Sequence, residues 1–172
     1  MPADAASASN AVLRASAETL GEALVAAGHR LAVAESCTGG WLAKALTDIP
    51  GSSNWFEAGF VTYSNDAKVG MLGVSKATLD DHGAVSESVV REMAAGARHQ
   101  SGAGAAVAIS GVAGPGGGTA DKPVGLVYLA WSLGDRDWVR RVEFSGDREA
   151  VRRQSVALAM SDLLDAVQGK KR

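Results

Sequence analysis

The order in which two periodicities follow one another does most to limit the fold of this chain. Short apolar runs of strand character alternate with longer stretches of helical spacing. Strands separated by helices build a sheet covered by helices on both faces. From Val12 to Ala27 the apolar positions Val12, Leu13, Leu20, Leu24 and Ala27 recur at helical spacing, and Gly28 is a fitting stop. Arg30–Ala34 reads as a short buried strand. Trp41–Thr47 reads as a helix that ends before the turn at Ile49-Pro-Gly-Ser52. Phe56–Tyr63 is a second strand, followed by a short helix around Asp66–Leu72 and a helical stub over Lys76–Asp81 closed by Gly83.

Ser86 with Glu87 opens a longer helix to about Gln100, which the Gly102/Gly104 pair ends. Ala105–Ser110 is a third strand, and a glycine-dense loop, Gly111-Val-Ala-Gly-Pro-Gly-Gly-Gly-Thr119, follows it. Val124–Leu133 and Trp138–Phe144 are two more strands joined by Gly134-Asp135, a hairpin signal. Asp147 caps a final helix running to about Val167. The expected fold is therefore α/β: a three-layer α/β/α arrangement around a mixed, mostly parallel sheet of about five strands. Residues 1–11 are expected to be a flexible lead-in, 12–167 the one domain, and 168–172 a basic tail.

The 172 residues carry a net charge of −2, and the only dense basic block is Lys170-Lys-Arg172. That balance argues against nucleic-acid binding as the main activity, because a phosphate backbone demands a basic face. One cysteine, Cys37, excludes an intrachain disulfide and a cysteine-based structural zinc site. His29, His82 and His99 show no metal-ligand spacing, so no metal or cofactor is expected. The start, MPADAASASN, has no basic segment leading into an apolar one, and no run reaches membrane-spanning length. The expectation is a soluble cytoplasmic domain.

If the first three strands are parallel and the hairpin returns the fifth alongside them, several polar segments share one rim. These are Glu35-Ser36, Tyr63, Ser110-Gly111, Lys122-Pro123 and Phe144-Ser-Gly-Asp-Arg148. Open α/β sheets bind ligands beyond the carboxyl ends of their strands. Ser36, at a strand-to-helix junction, fits either an N-cap in a tight turn or part of a binding site served by backbone N–H groups. Gly39 and Gly40 would let a ligand approach the backbone closely. Lys68 fits either a solvated surface residue or, once desolvated, a base for a hydroxyl nucleophile, and Tyr63 either a packed ring or a relay. The glycine loop matches no nucleotide motif but can form an anion nest, and Arg148 can pair with phosphate. No histidine is placed for a triad, so a serine with lysine, or with tyrosine and lysine, fits better. Cys37 is either an alternative nucleophile or a buried inert thiol.

Glu35-Ser-Cys-Thr-Gly-Gly40, Gly59-Phe-Val-Thr-Tyr-Ser-Asn-Asp-Ala-Lys68, Ser110–Thr119 with Lys122-Pro-Val-Gly125, and Phe144-Ser-Gly-Asp-Arg148 together resemble the CinA C-terminal-domain family. The resemblance spans roughly residues 12–167 and includes the stand-alone nicotinamide-nucleotide amidohydrolases. It implies a usually dimeric α/β/α domain that hydrolyses the carboxamide of nicotinamide mononucleotide to nicotinate mononucleotide and ammonia, in pyridine nucleotide salvage. It implies Ser36 as the catalytic serine, with Tyr63 and Lys68 as its activating partners. Glu35, Thr38, Gly39, Gly40, Ser110, Gly111 and Arg148 fall in the motifs that hold substrate. Ser110 stands where the family often has threonine, a mild departure that keeps the hydroxyl. The rival expectation is a catalytically weak ligand-binding or scaffold protein linked to competence and DNA-damage responses.

Overall fold

The computed structural model describes residues 8–170. The expected lead-in over 1–7 and the last two residues of the basic tail lie outside the described residues. Along the chain run α1 (Asn10–Ala27), β1 (Leu31–Glu35), α2 (Trp41–Thr47), a 3-10 turn at Ser52–Asn54, β2 (Phe56–Val61), α3 (Asn65–Leu72), α4 (Lys76–His82) and α5 (Glu87–Ser101). They are followed by β3 (Ala105–Gly111), β4 (Leu126–Leu133), β5 (Arg136–Glu143) and α6 (Arg148–Val167). The sheet order is β2-β1-β3-β4-β5. β1 pairs in parallel with β2 and β3, and β4 runs antiparallel to both β3 and β5. The mixed sheet and the shared rim follow the sequence expectation.

Helix starts are set by short oxygen-bearing side chains. Ser9, Ser64, Ser75, Ser86 and Asp147 each accept the backbone N–H three residues on, at α1, α3, α4, α5 and α6. The Ser9 cap starts α1 two residues earlier than its apolar spacing predicts, and Ala8 before it is buried. Strand ends differ from expectation for local reasons. β2 stops at Val61 because the carbonyls of Thr62 and Tyr63 turn onto the Lys68 amine. β4 begins at Leu126 because Gly125, at φ 95°, bends the chain hard against Phe144. β5 begins at Arg136, opposite Leu133, so the hairpin pairs right up to Gly134-Asp135.

The two faces of the central strands differ in side-chain size. Leu31, Val33, Val107 and Ile109 point into one core with α1, α2 and α6. Ala32, Ala34, Ala106 and Ala108 point into the other, against α3, α4 and α5. Strand alternation places them so, and alanines let the second helical layer lie close to the sheet. Gly96 takes that closeness furthest. A Cβ there would lie 2.0 Å from the carbonyl oxygen of Leu72, the last residue of α3. α5 is thus the seat on which the end of α3 rests, and α3 carries Lys68.

Gly96→Ala should therefore cost about 1–3 kcal/mol, as overpacking does, and lower the melting temperature by roughly 2–10 °C. Gly70→Ala, in α3 with nothing within 4 Å of its Cβ position, should be neutral or gain about 0.4–1 kcal/mol. Urea and thermal unfolding of both variants check the pair.

Candidate active site

β1 runs out at Glu35, whose side chain is fully buried. Its carboxylate accepts the backbone N–H groups of Gly40 (3.2 Å), Leu42 (3.0 Å) and Ala43 (2.8 Å). Those are the donors that the first turn of α2 cannot satisfy within itself. The N-cap of α2 is Gly40, at φ 97°, which has no side chain to offer. Glu35 therefore closes the helix from the strand end, and a carboxylate suits the positive end of the peptide dipoles. Glu35, expected among the substrate-holding residues, carries this capping task. Ser36 is not the cap of α2 either.

Between strand and helix the chain makes a tight turn over residues 36–40. Ser36 N–H donates to Ile109 O (3.0 Å) and Gly39 N–H to Ser36 O (3.0 Å), while Gly39 itself sits at φ 60°. Side chains alternate along a strand, so Ser36 faces the α3 side while Glu35 faces α2. There Lys68 meets it: Nζ lies 3.1 Å from Ser36 Oγ, 2.8 Å from Thr62 O and 3.3 Å from Tyr63 O. Lys68 is 1% exposed. Its recorded partners are all neutral, and burial holds its pKa below the ordinary lysine range. A neutral amine against a serine hydroxyl can take the hydroxyl proton, which is how a weak nucleophile becomes a competent one.

Tyr63 stands on the rim, 59% exposed. Its carbonyl touches Lys68, while its hydroxyl lies 3.0 Å from Arg148 Nη2; no hydrogen bond joins the phenol to Ser36 or Lys68 among the described residues. Arg148 also donates from Nη1 to Gly114 O (2.8 Å), tying the glycine loop to the start of α6. One turn on, Arg152 donates from Nε to Cys37 O and from Nη2 to Thr38 O, both at 3.0 Å. Neither Arg152 nor Thr62 is singled out by sequence reasoning. Arg152 is legible in hindsight, four residues after Arg148 and so on the same helix face. Thr62 acts through its carbonyl, which leaves no trace in residue type.

Thr38 is fully buried, and its Oγ1 has no partner among the described residues. The N–H groups of Cys37 and Thr38 likewise meet no acceptor on another residue there. Ser110 is 1% exposed and donates its hydroxyl to Ala84 O (2.8 Å), joining the end of β3 to the loop before α5. Gly111 has no room for a side chain, since a Cβ would lie 2.7 Å from Leu126 O on the neighbouring strand. Cys37 is 6% exposed, and burial pushes its thiol up to about 11, so it stays protonated at neutral pH. That geometry fits the inert-thiol alternative.

Beside the Gly39-Gly40 turn opens a groove of about 900 Å³ between α1, α2 and α6. Arg14, Lys44, Arg148, Arg152 and Arg153 line it against Asp48 and Glu149, so cations outnumber acids. Ser36 and Lys68 are not in its lining, which reaches the turn after Ser36 at Gly39 and Gly40. No cluster of three or more His, Cys, Asp or Glu is placed to hold a metal among the described residues. Among those residues, too, no helix is long and apolar enough to cross a membrane.

A family model described as the CinA C-terminal domain matches residues 13–167. Over 147 residues the chain is 57% identical to nicotinamide-nucleotide amidohydrolase PncC of Escherichia coli strain K12, covering 85% of this chain and 89% of that one. A protein of the same name from Pseudomonas putida is 55% identical over 148 residues, covering 86% and 92%. A CinA-like protein of Akkermansia muciniphila is 51% identical over 138 residues, 80% of this chain but 33% of that one. Among solved structures, the competence/damage inducible protein CihA from Agrobacterium tumefaciens superposes with a TM-score of 0.87 at 42% identity, covering 91% of this chain and 95% of that one.

Removing the carboxylate that closes α2 tests the local architecture. Glu35→Ala should cost about 3 kcal/mol, because three backbone donors at a fully buried carboxylate lose a charged acceptor. Glu35→Gln, which keeps one acceptor oxygen, should lose about half as much. The urea midpoints of the two variants, ranked against the wild type, decide it.

Proposed function

The chain belongs to the CinA C-terminal domain family, and from that membership we propose that it is a nicotinamide-nucleotide amidohydrolase. It hydrolyses the carboxamide of nicotinamide mononucleotide, giving nicotinate mononucleotide and ammonia, a step of pyridine nucleotide salvage. The observation that carries the chemistry is the buried contact of 3.1 Å between Lys68 Nζ and Ser36 Oγ. The names of the relatives 57% and 55% identical to the chain supply the substrate.

The proposed course is acyl transfer through serine. Lys68, as the neutral amine, takes the Ser36 hydroxyl proton while Oγ bonds to the carboxamide carbon. Charge gathers on the former carbonyl oxygen, and the N–H groups of Cys37 and Thr38, which meet no acceptor on another residue among the described residues, are the donors nearest in the chain to meet it. Collapse breaks the carbon–nitrogen bond, and the Lys68 ammonium returns its proton to the departing nitrogen as ammonia. A nicotinoyl ester remains on Ser36. Water then attacks the ester carbon and yields its proton to Lys68; the ester bond breaks, and that proton passes back to Ser36 Oγ.

In this reading Tyr63 takes part in activation through the carbonyl it gives Lys68, and its phenol holds Arg148. The phosphate lies against Arg148 and the Gly39-Gly40 turn, at the edge of the cationic groove. The ribose and pyridine ring span the distance back to Ser36. The family resemblance adds a homodimer, with the nucleotide as its small-molecule partner, and the sequence expectation puts it in the cytoplasm.

Ser36→Ala should abolish ammonia release from nicotinamide mononucleotide while leaving the melting curve unchanged, and Lys68→Met should lower turnover about 100-fold or more. A Ser36→Ala protein with near-normal turnover would sink the mechanism. An inactive wild type that still binds the nucleotide would favour the scaffold reading. Since the base must be unprotonated, kcat/KM should rise with pH, with its midpoint below the 10.5 of an ordinary lysine. A pH–rate profile with no such rise would remove Lys68 from the role.

A further inference from the structure

Arg152 takes no part in the steps above, yet it grips the turn that carries the nucleophile. It reaches that turn from α6, the layer opposite to the one that supplies Lys68. Its guanidinium spans two successive carbonyls, Cys37 O and Thr38 O, at 3.0 Å each. The same group lies 5.3 Å from the centre of the Trp41 ring, which limits how it can turn.

In a trans peptide the carbonyl and the N–H point in opposite directions. With Cys37 O turned toward Arg152, the Thr38 N–H is turned away from it. The next peptide is spent: its Gly39 N–H donates to Ser36 O. Thr38 N–H has no acceptor among the described residues, and neither does the buried Thr38 hydroxyl. A buried donor left unpaired is costly, and in a turn beside a reactive serine an anionic oxygen is the partner it suits.

We infer that Arg152 is a positioning residue for the hydrolysis: its two-pronged grip fixes the Ser36–Gly39 turn and polarises the Cys37–Thr38 peptide, aiming the Thr38 N–H at the oxygen that becomes negative. The inference rests on the amidohydrolase reading. Arg152 exchanges no proton and forms no bond with substrate. Its charge acts through the peptide, where it strengthens a donor that matters more in the transition state than in the bound ground state. A lysine carries the same charge but lacks the planar fork that serves two carbonyls at once.

The test uses the full chain, with Arg152→Ala and Arg152→Lys compared by melting curve and then by kinetics on nicotinamide mononucleotide. Arg152→Ala should lower kcat about 10–100-fold, somewhat less than direct loss of an oxyanion donor, with KM held within about threefold. Arg152→Lys, which keeps the charge and the stem over Trp41, should fall between the two. It also stands in if the alanine variant fails to fold. Full kcat in Arg152→Lys would overturn the need for the fork. A raised KM, or weaker calorimetric binding of the nucleotide when Arg152→Ala is added to Ser36→Ala, with kcat intact, would make Arg152 a substrate ligand and overturn the inference.

A second readout does not depend on the substrate. Phenylmethanesulfonyl fluoride labels an activated serine through a transition state whose oxygen charge falls where the carboxamide's would. Labelling of Ser36, followed by mass spectrometry, should slow about tenfold or more in Arg152→Ala. Equal labelling rates overturn the inference. Slower labelling beside a wild type that releases no ammonia would sink the choice of substrate and uphold the positioning role.

Discussion

Lys68 meets Ser36 across 3.1 Å in the interior, and its other recorded partners are two backbone carbonyls. An ammonium buried among neutral groups is disfavoured against the free amine, so the surroundings that hold the side chain also prepare its chemistry. The neighbouring structure is shaped by that placement. β2 gives up its last two residues to supply the carbonyls, and Ser64 caps α3 four residues before the lysine. α3 in turn ends on Gly96 of α5, where no side chain would fit. The alanine face of the central strands lets this whole layer lie close enough to bring Nζ to the sheet's edge.

The opposite layer holds the Ser36 turn still. Glu35 anchors the first turn of α2 through three N–H groups, and Arg152 holds two carbonyls of the intervening turn. Ser36 lies between these grips, at the end of a strand paired on both sides. The serine is thus fixed from one helical layer and its amine delivered from the other, with the sheet as the common reference. Such placement by packed elements is more exact than placement on a free loop.

How much of this could be read from residues alone depends on what carried each role. The succession of strands and helices and the shared rim were legible, because buried apolar runs and turn residues leave a pattern. The pairing of Ser36 with Lys68 came through motifs and then through geometry; neither residue's spacing forces the contact. The capping task of Glu35 was not legible, because a carboxylate beside Ser36 looks like chemistry, whereas its oxygens accept three N–H groups of helix α2. Nor was the bond from the Ser110 hydroxyl to Ala84 O legible, since that acceptor is a backbone carbonyl. Thr62 and Arg152 escaped notice because one acts through a backbone carbonyl and the other upon backbone carbonyls, and carbonyls are common to every residue.

The clasp made by Arg148 has its own consequence. Its recorded bonds end on a glycine carbonyl and a phenol, both uncharged. An arriving dianion can displace either without first prising apart an ion pair. On the proposed function, the resting contacts act as placeholders: they keep the glycine loop and the rim tyrosine in register until cargo arrives, and then yield to it.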